Sequence, residues 1–348
     1  MVGLERPPSG TRALVVGLSA GLDSTVLLHL LCAARSAHPK AYAGVSLSVL
    51  HVNHGLQAAA EAFEQSALQT SAALGVPAVV VRARISEEEQ RQMGLEAAAR
   101  RARREAFAES ARGQEGVCMV LAHHLDDQVE TTLLQWMRGA GLEGLCGMAG
   151  YSPALAGRPY AIWRPLLQMP KAALADYAKR HELQWVEDPT NALEDFDRNR
   201  LRMQVLPVLT EMREGALGAM GRSIELLQEA RLALEQVTSQ DLLACRVHAK
   251  PDASFALQKD ALLTLTDARV ARVLRAWIAE QGRATPPARR LEEFIRQLRE
   301  ASPGTSPQLA VRPEPSGGQE SFEVRLRAGI LTLEPLAPSS SSYGSHRS

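Results

Sequence analysis

The sequence predicts an α/β fold: a parallel sheet with helices on both faces, followed by a smaller, mostly helical second domain. Two observations carry the first part. Over residues 13–138, short apolar runs alternate with longer segments whose apolar residues recur at helical spacing. The polar, small-residue clusters fall just after the apolar runs, at the strand ends where an open parallel sheet collects its ligands. The second domain rests on a change of character after about Leu209, beyond which helical periodicity dominates.

Residues 13–18 (Ala-Leu-Val-Val-Gly-Leu) read as a short buried strand, and 24–35, with Val26, Leu27, Leu28, Leu30 and Leu31, as a mostly apolar helix. The rhythm repeats as strand 45–52 and helix 58–74, strand 77–84 and helix 95–112, then strand 117–122 and helix 126–138. Strands separated by helices imply parallel pairing, because a parallel pair needs a long crossover. Residues 160–167 add a strand and 171–183 a helix. Beyond them, helices are expected over 219–237, 267–281 and 289–300, with Pro286-Pro287 breaking the last two apart. Short strands at 323–327 and 330–333 close the domain. The Ser-rich tail from Pro338 is expected to be disordered. The expected limits are 1–212 for the sheet domain, 213–335 for the helical domain and 336–348 for the tail. No internal repeat is present.

A chain of 348 residues, 45% hydrophobic and 22% charged, can bury two cores and is neither fibrous nor largely disordered. No run of 18 apolar residues occurs, so no membrane span is expected. Residues 1–11 lack the basic-then-apolar order of a signal peptide. Cys32, Cys118, Cys146 and Cys245 are widely spaced and form no Cys-x-x-Cys pair, which suggests neither a zinc site nor a disulfide framework. A reducing, cytoplasmic location is the expectation. The 39 basic residues balance 39 acidic ones, so net charge decides nothing about nucleic acid, and a local basic patch can still supply phosphate contacts. Oligomeric state, monomer or homodimer, stays open.

The first polar loop supports three readings. Ser19, Gly21 and Ser24 sit between a strand end and a helix start, where small residues let backbone N–H groups close on a phosphate. Gly17-Leu18-Ser19-Ala20-Gly21 also has the form of a hydrolase nucleophile elbow, but only 18 residues precede Ser19, too few for the strands and oxyanion loop that such an elbow follows. A plain capped helix after a tight turn is the third reading. Walker A is excluded, since no G-x-x-x-x-G-K-[ST] occurs, and the G-x-G-x-x-G at Gly139, Gly141 and Gly144 follows a helix rather than a strand.

Three further clusters fall at strand ends or on one helix face. His51-Val-Asn53-His54-Gly55 ends the second strand, either as a polar loop or as a nucleotide contact. His123-His124-Leu125-Asp126-Asp127-Gln128-Val129-Glu130-Thr131 ends the fourth strand and opens a helix. Asp127 and Glu130 share a helix face and repel unless a cation lies between them. Zinc is a weaker reading, because no third ligand is spaced for it. Glu96, Arg100, Arg103 and Phe107 form one stripe, either a solvated salt bridge or an arginine clamp on phosphate. An acid-then-basic segment, Glu187 to Arg202, and a basic helix with Arg269, Arg272 and Arg275 are either solvated surface or grips for nucleic-acid phosphates.

Together these motifs resemble the tRNA(Ile)-lysidine synthetase family of the PP-loop (adenine nucleotide α-hydrolase-like) ATP pyrophosphatases. The first loop is similar to the group's S-G-G-x-D-S, and His51-Val-Asn-His-Gly-Leu56, Leu95 to Arg103, His123 to Thr131, Arg138 to Leu145 with Gly147-Met148, Arg164-Pro-Leu166 and the Glu187 to Arg202 segment resemble later motifs in the same order. The resemblance implies a ligase that uses ATP to adenylate C2 of the wobble cytidine in the CAU-anticodon isoleucine tRNA, releases pyrophosphate, and lets L-lysine displace AMP to form lysidine. It implies an ATP site on Ser19, Ala20, Gly21, Leu22, Asp23 and Ser24, with His51 and Asn53, and Mg²⁺ held by Asp23. Asp127 and Glu130 would hold the lysine amine with His123 nearby, and Arg103 would stabilise phosphate charge. Arg198, Arg202, Arg272 and Arg275 would contact the tRNA. Ala20 stands where the group has glycine, and its methyl would crowd the pyrophosphate if the position needs positive φ. Gln57 stands where arginine is common, and Arg104 where an aromatic is.

Overall fold

In the computed structural model the described residues are 3–55, 60–83, 85–155, 157–187, 197–248, 255–302, 307–311 and 321–336, with the side chains of Glu96 and His248 left aside. The expected disorder of the tail lies outside them, as does Gln57. The chain divides into two compact units, Met1–Glu229 and Ala230–Ser348.

The first unit is built on β1 (Ala13–Gly17), which pairs in parallel with β2 (Ser46–Asn53) on one side and β4 (Val117–Val120) on the other. β3 (Ala78–Arg82) extends the sheet beyond β2, and β6 (Ala161–Trp163) beyond β4, both parallel. β5 (Tyr151–Ser152) closes the edge antiparallel to β6, giving the order β3-β2-β1-β4-β6-β5. Strand alternation splits the core. Leu14, Val16, Cys118 and Val120 join Val26, Leu27 and Leu31 of α1 (Leu22–Ala37) in one cluster. Val15, Val117 and Met119 face the opposite way, against Phe107 and Tyr160. Central strands that bury both faces read as continuous apolar runs, which is why they were legible.

Successive strands move from β1 outward to β3 and then cross back to β4 on the other side of β1. Such a reversal makes the loops after β1 and β4 diverge and leaves a crevice at the carboxyl edge. Helices α2 (Ala60–Ala73), α4 (Leu95–Ser110), α5 (Leu125–Met137) and α7 (Lys171–Arg180) follow the expected places, with α3 (Glu87–Met93) inserted before α4. The seven residues of α3 carry almost no apolar signal, but a capping box was readable: Glu89 N donates to Ser86 Oγ and the Glu89 carboxylate accepts from Ser86 N. After α6 (Leu142–Leu145), the amide of Gln128 clasps the backbone of Met148, accepting from its N–H at 2.6 Å and donating to its carbonyl at 2.8 Å. Gly147 (φ 61°) makes room for this clasp, since a Cβ there would sit 2.7 Å from Gln128 Oε1.

The run α8 (Asp197–Arg200), a π-helical turn Leu201–Val205, and α9 (Leu206–Met212) leads to α10 (Ala216–Cys245). The expected boundary at 212/213 coincides with the end of α9, and the division between units comes later, inside α10.

The second unit corrects an expectation. It is not mostly helical: β7 (Arg246–His248), β8 (Phe255–Gln258), β9 (Gln308–Val311), β10 (Phe322–Arg327) and β11 (Ile330–Pro335) form an antiparallel sheet in the order β7-β8-β11-β10-β9. With α11 (Lys259–Leu263), α12 (Asp267–Glu280) and α13 (Ala288–Glu300) it makes an α+β unit. Val270, Trp277, Leu291 and Phe294 pack with Val324 and Leu331 in one core. β7, β8 and β9 have only three or four residues each, too few for a period of two to be read; β7 pairs with its neighbour β8 and β9 with its neighbour β10, and β8 joins the sheet by pairing with β11, more than 70 residues along the chain.

Candidate active site

The β1–α1 loop is shaped by its own side chains. Leu18 N donates to the Leu50 carbonyl at 3.1 Å, tying the loop to β2. Ser24 Oγ accepts from Ser19 N at 3.2 Å and donates to the Gly21 carbonyl at 3.1 Å, and the two serine hydroxyls meet at 3.0 Å. The curl places Leu22, Asp23 and Ser24, the first turn of α1, on the crevice lining, where free helix N-terminal N–H groups and the helix dipole favour an anion.

Ala20 does have positive φ, 64°, as a glycine-type position requires. Its methyl is fully buried in the apolar core beneath the loop, not in the crevice, and its carbonyl accepts from Val186 N at 3.0 Å. The expected crowding of a phosphate is therefore absent. A left-handed alanine costs about 1–2 kcal/mol. Against that, the buried methyl contributes about 0.8 kcal/mol, and the lower freedom of alanine in the unfolded chain about 0.4–1 kcal/mol. Ala20→Gly is thus expected to stay within about 1 kcal/mol of the parent in urea denaturation, by these opposing terms. A large loss in either direction would mean that the loop depends on something other than this balance.

On β2, buried His51 donates from Nδ1 to the Leu18 carbonyl at 2.8 Å, which leaves Nε2 as its acceptor. Asn53 is committed to the protein: its amide donates to Glu64 Oε2 of α2 at 2.8 Å and its oxygen accepts from Gly55 N in the following loop at 2.9 Å. His54 places both ring nitrogens among protein atoms without a hydrogen-bond partner among the described residues. Burial, with Arg103 and His51 nearby, pushes its pKa down to about 4.

The β4–α5 junction is the most charged part of the site. His123 is pushed down to about 4, chiefly by burial against the pull of Asp127, with Arg164, Arg198 and Arg103 adding to the fall. Arg164 Nε donates to His123 Nδ1 at 3.3 Å, so the neutral ring carries its proton on Nε2 and presents a donor to the crevice. His124 behaves oppositely. Burial opposes its charge, but Asp126, Asp23 and Asp127 outweigh it and raise its pKa to about 9. Its ring lies 3.6 Å from Asp23 and Asp126 and 3.5 Å from Asp127. Asp126 also accepts from Lys171 N at 2.9 Å, tying α7 to this junction.

Because His54 and His123 are held neutral down to about 4, while unfolded histidine titrates near 6.5, the unfolded chain takes up their protons first as the pH falls. Their contribution to stability is complete above about 6.5 and lost toward 4. Thermal melts from pH 7.5 to 4.5 should show this acid-side fall, and His123→Asn should flatten it; an equal slope in that variant would refute the assignment.

Glu130 corrects the expected amine site. It is fully buried, and both its oxygens are taken: Arg198 Nε donates at 2.8 Å, and Arg202 Nε and Nη2 donate at 2.7 and 2.9 Å. Glu130 does not line the crevice, whereas Asp127 does. Arg198 and Arg202, expected on the tRNA, have their guanidinium groups turned into the protein, each also 3.6 Å from Asp127 Oδ1. Arg272 and Arg275 belong to α12 of the second unit, where Arg272 Nε donates to Thr238 Oγ1 at 3.1 Å.

The crevice has a volume of about 810 Å³. It brings together Ser19, Gly21, Leu22, Asp23 and Ser24 from the loop, His51 and Asn53 from β2, Arg103 from α4, and His123 and Asp127 from β4–α5. Lys171 and Trp185 also line it and were not anticipated. Lys171 was signalled only by Met169-Pro170, a proline fitted to a helix start. Among the described residues no group of three His, Cys, Asp or Glu side chains is placed to hold a metal ion.

A small-residue loop at the helix start and switch point of a parallel sheet, facing a carboxylate and the crevice-lining Arg103, defines a nucleotide-using α/β protein of the PP-loop class. Residues 4–209 match the family model described as PP-loop domain, and residues 257–327 match the one described as TilS substrate binding domain. The chain belongs to the tRNA(Ile)-lysidine synthase family. It is 38% identical to the tRNA(Ile)-lysidine synthase of Alkalilimnicola ehrlichii over 84% of this chain and 62% of that one. It is 34% identical to that of Yersinia pseudotuberculosis over 95% and 68%, and 38% identical to that of Serratia proteamaculans over 96% and 71%. The chain thus spans about three fifths of the length of the Alkalilimnicola relative. Among solved structures, the U34-tRNA thiolase NcsA from Methanococcus maripaludis matches with a TM-score of 0.52 at 17% identity, over 65% of this chain and 74% of that one, a likeness of fold.

Proposed function

We propose that this chain ligates L-lysine to C2 of the wobble cytidine in the CAU-anticodon isoleucine tRNA, with ATP converted to AMP and pyrophosphate. The observation that carries this reading is the crevice, where the anion-binding loop and the carboxylate of Asp127 face one another across a space of nucleotide size. A cytidine carbonyl oxygen leaves poorly until it carries AMP, and the lysine amine attacks only after losing a proton. In this reading the N–H groups of 22–24 and Arg103 bind and orient the phosphates. His123 donates from Nε2 to the polarised base. Asp127 holds the amine and accepts its proton.

Asp23 suits a hard divalent cation, since its Oδ1 is buried without a partner among the described residues. Mg²⁺ would be held there, and when bound would neutralise charge on the ATP phosphates.

The test is to incubate the protein with ATP, lysine and the tRNA, then analyse nucleosides by mass spectrometry. Lysidine and stoichiometric pyrophosphate are expected; tRNA-dependent pyrophosphate release without lysidine would instead favour another PP-loop tRNA-modifying reaction. A non-catalytic tRNA-binding protein would release none.

A further inference from the structure

Four arginines converge at one side of the crevice without a carboxylate among the described residues to neutralise them. Arg103 and Arg104 sit on α4, four and three residues before Phe107, and so share its face. Phe107 packs edge-on against Tyr160 with ring centroids 6.0 Å apart. Arg158, from the turn between β5 and β6, lies over the same Tyr160 ring at 5.9 Å and donates to the Pro153 carbonyl. Arg164, at the end of β6, donates to His123 Nδ1 and, at 2.9 Å, to the Ala149 carbonyl. The Tyr160 hydroxyl feels both Arg104 and Arg158, and Arg164 in turn feels Arg158, so the charges are neighbours in space although they come from three elements.

This contrasts with the nearby surface, where Arg91 pairs with Glu87, Arg101 with Glu89, and Arg112 with Glu109. Like charges placed together repel, and such a cluster is stable in use only when a polyanion lies across it. Arg103 lines the crevice itself, so the positive strip runs outward from the reacting centre. Arg198 and Arg202 cannot take this part while they clamp Glu130.

We propose that α4 and the β5–β6 turn form the rim that holds the RNA backbone beside the reacting nucleotide, with Arg104 and Arg158 as its outer phosphate contacts. This rests on the reading of the substrate as RNA given above. Phosphate contacts position a strand without reading its bases, and each releases counterions.

The test uses the full chain with Arg104→Gln and Arg158→Gln combined, neither residue being part of the proposed chemistry. KM for the tRNA transcript should rise about tenfold with kcat little changed, and the slope of log affinity against log salt should flatten by about 0.7 for each lost contact. The double lysine variant should keep the parent slope, separating lost charge from lost packing on Tyr160. Arg112→Gln, on an arginine already paired with Glu109, should change neither quantity. If the parent makes lysidine while the double glutamine variant keeps its KM and salt slope, the rim is overturned and the activity stands. If the parent binds the tRNA in a way that depends on these arginines but makes no lysidine, the rim stands and the proposed reaction falls. Absence of salt-dependent tRNA binding by the parent overturns both.

Discussion

Asp127→Asn is expected to lower lysine incorporation about 10²–10⁴-fold, the usual contribution of a positioned general base. The change is nearly isosteric. In the parent, one carboxylate oxygen accepts from His124 N at 3.0 Å, and the amide oxygen of asparagine can keep that bond. The other oxygen lies 3.6 Å from both Arg198 and Arg202, and Asp127 lines the crevice. Asparagine removes its charge and its capacity to take a proton, while the loop that binds the phosphates is untouched. The variant should therefore retain tRNA-dependent ATP–pyrophosphate exchange within about tenfold and lose the lysine step selectively, as removal of a group that acts only in one step does. Unchanged lysidine formation would remove Asp127 from the amine site. Equal loss of both half-reactions would relocate it to the nucleotide.

Glu130→Gln is expected to act on stability. Glu130 is fully buried and receives three charge-assisted hydrogen bonds between 2.7 and 2.9 Å. Removing its charge leaves two guanidinium groups facing each other, with Asp127 at 3.6 Å and the more distant Asp23 to offset them. Breaking a buried pair from one side costs about 3–5 kcal/mol. That should lower the melting temperature by on the order of 10 °C. Both an amine-binding and a clamping role predict lost activity, so stability discriminates between them. A loss below about 1 kcal/mol, typical of a surface pair, would reject the clamp. Adding Arg202→Met should recover part of the loss, because one of the two uncompensated charges is then gone.

The clamp shows where sequence reading stopped. Asp127 and Glu130 lie three apart on one helix face, and their repulsion requires a cation between them. That much follows from local geometry. Which cation could not be read, because Arg198 and Arg202 lie 68 and 72 residues further along the chain. A lysine amine and a guanidinium of the chain satisfy the same requirement. His123 and His124 show the same limit. They are adjacent and chemically identical, yet burial, with Arg164 adding to it, keeps one neutral, while three carboxylates around the other outweigh its burial and keep it charged. Two of those four partners, Arg164 and Asp23, come from elsewhere along the chain.

The sequence by itself determined the alternation of buried strands and helices in the first unit, the placing of polar motifs at strand ends, and the small-residue loop. Each is governed by backbone periodicity and conformational preference over a few neighbouring residues. The tertiary structure decided the rest. It turned the Ala20 methyl into the core despite positive φ, gave Glu130 to two distant arginines, and assembled β7, β8 and β9 into a sheet. These outcomes depend on which surfaces meet once the chain closes, and burial makes charge pairing and hydrogen bonding obligatory at those meetings. Separation along the chain places no local mark on the residues that will meet.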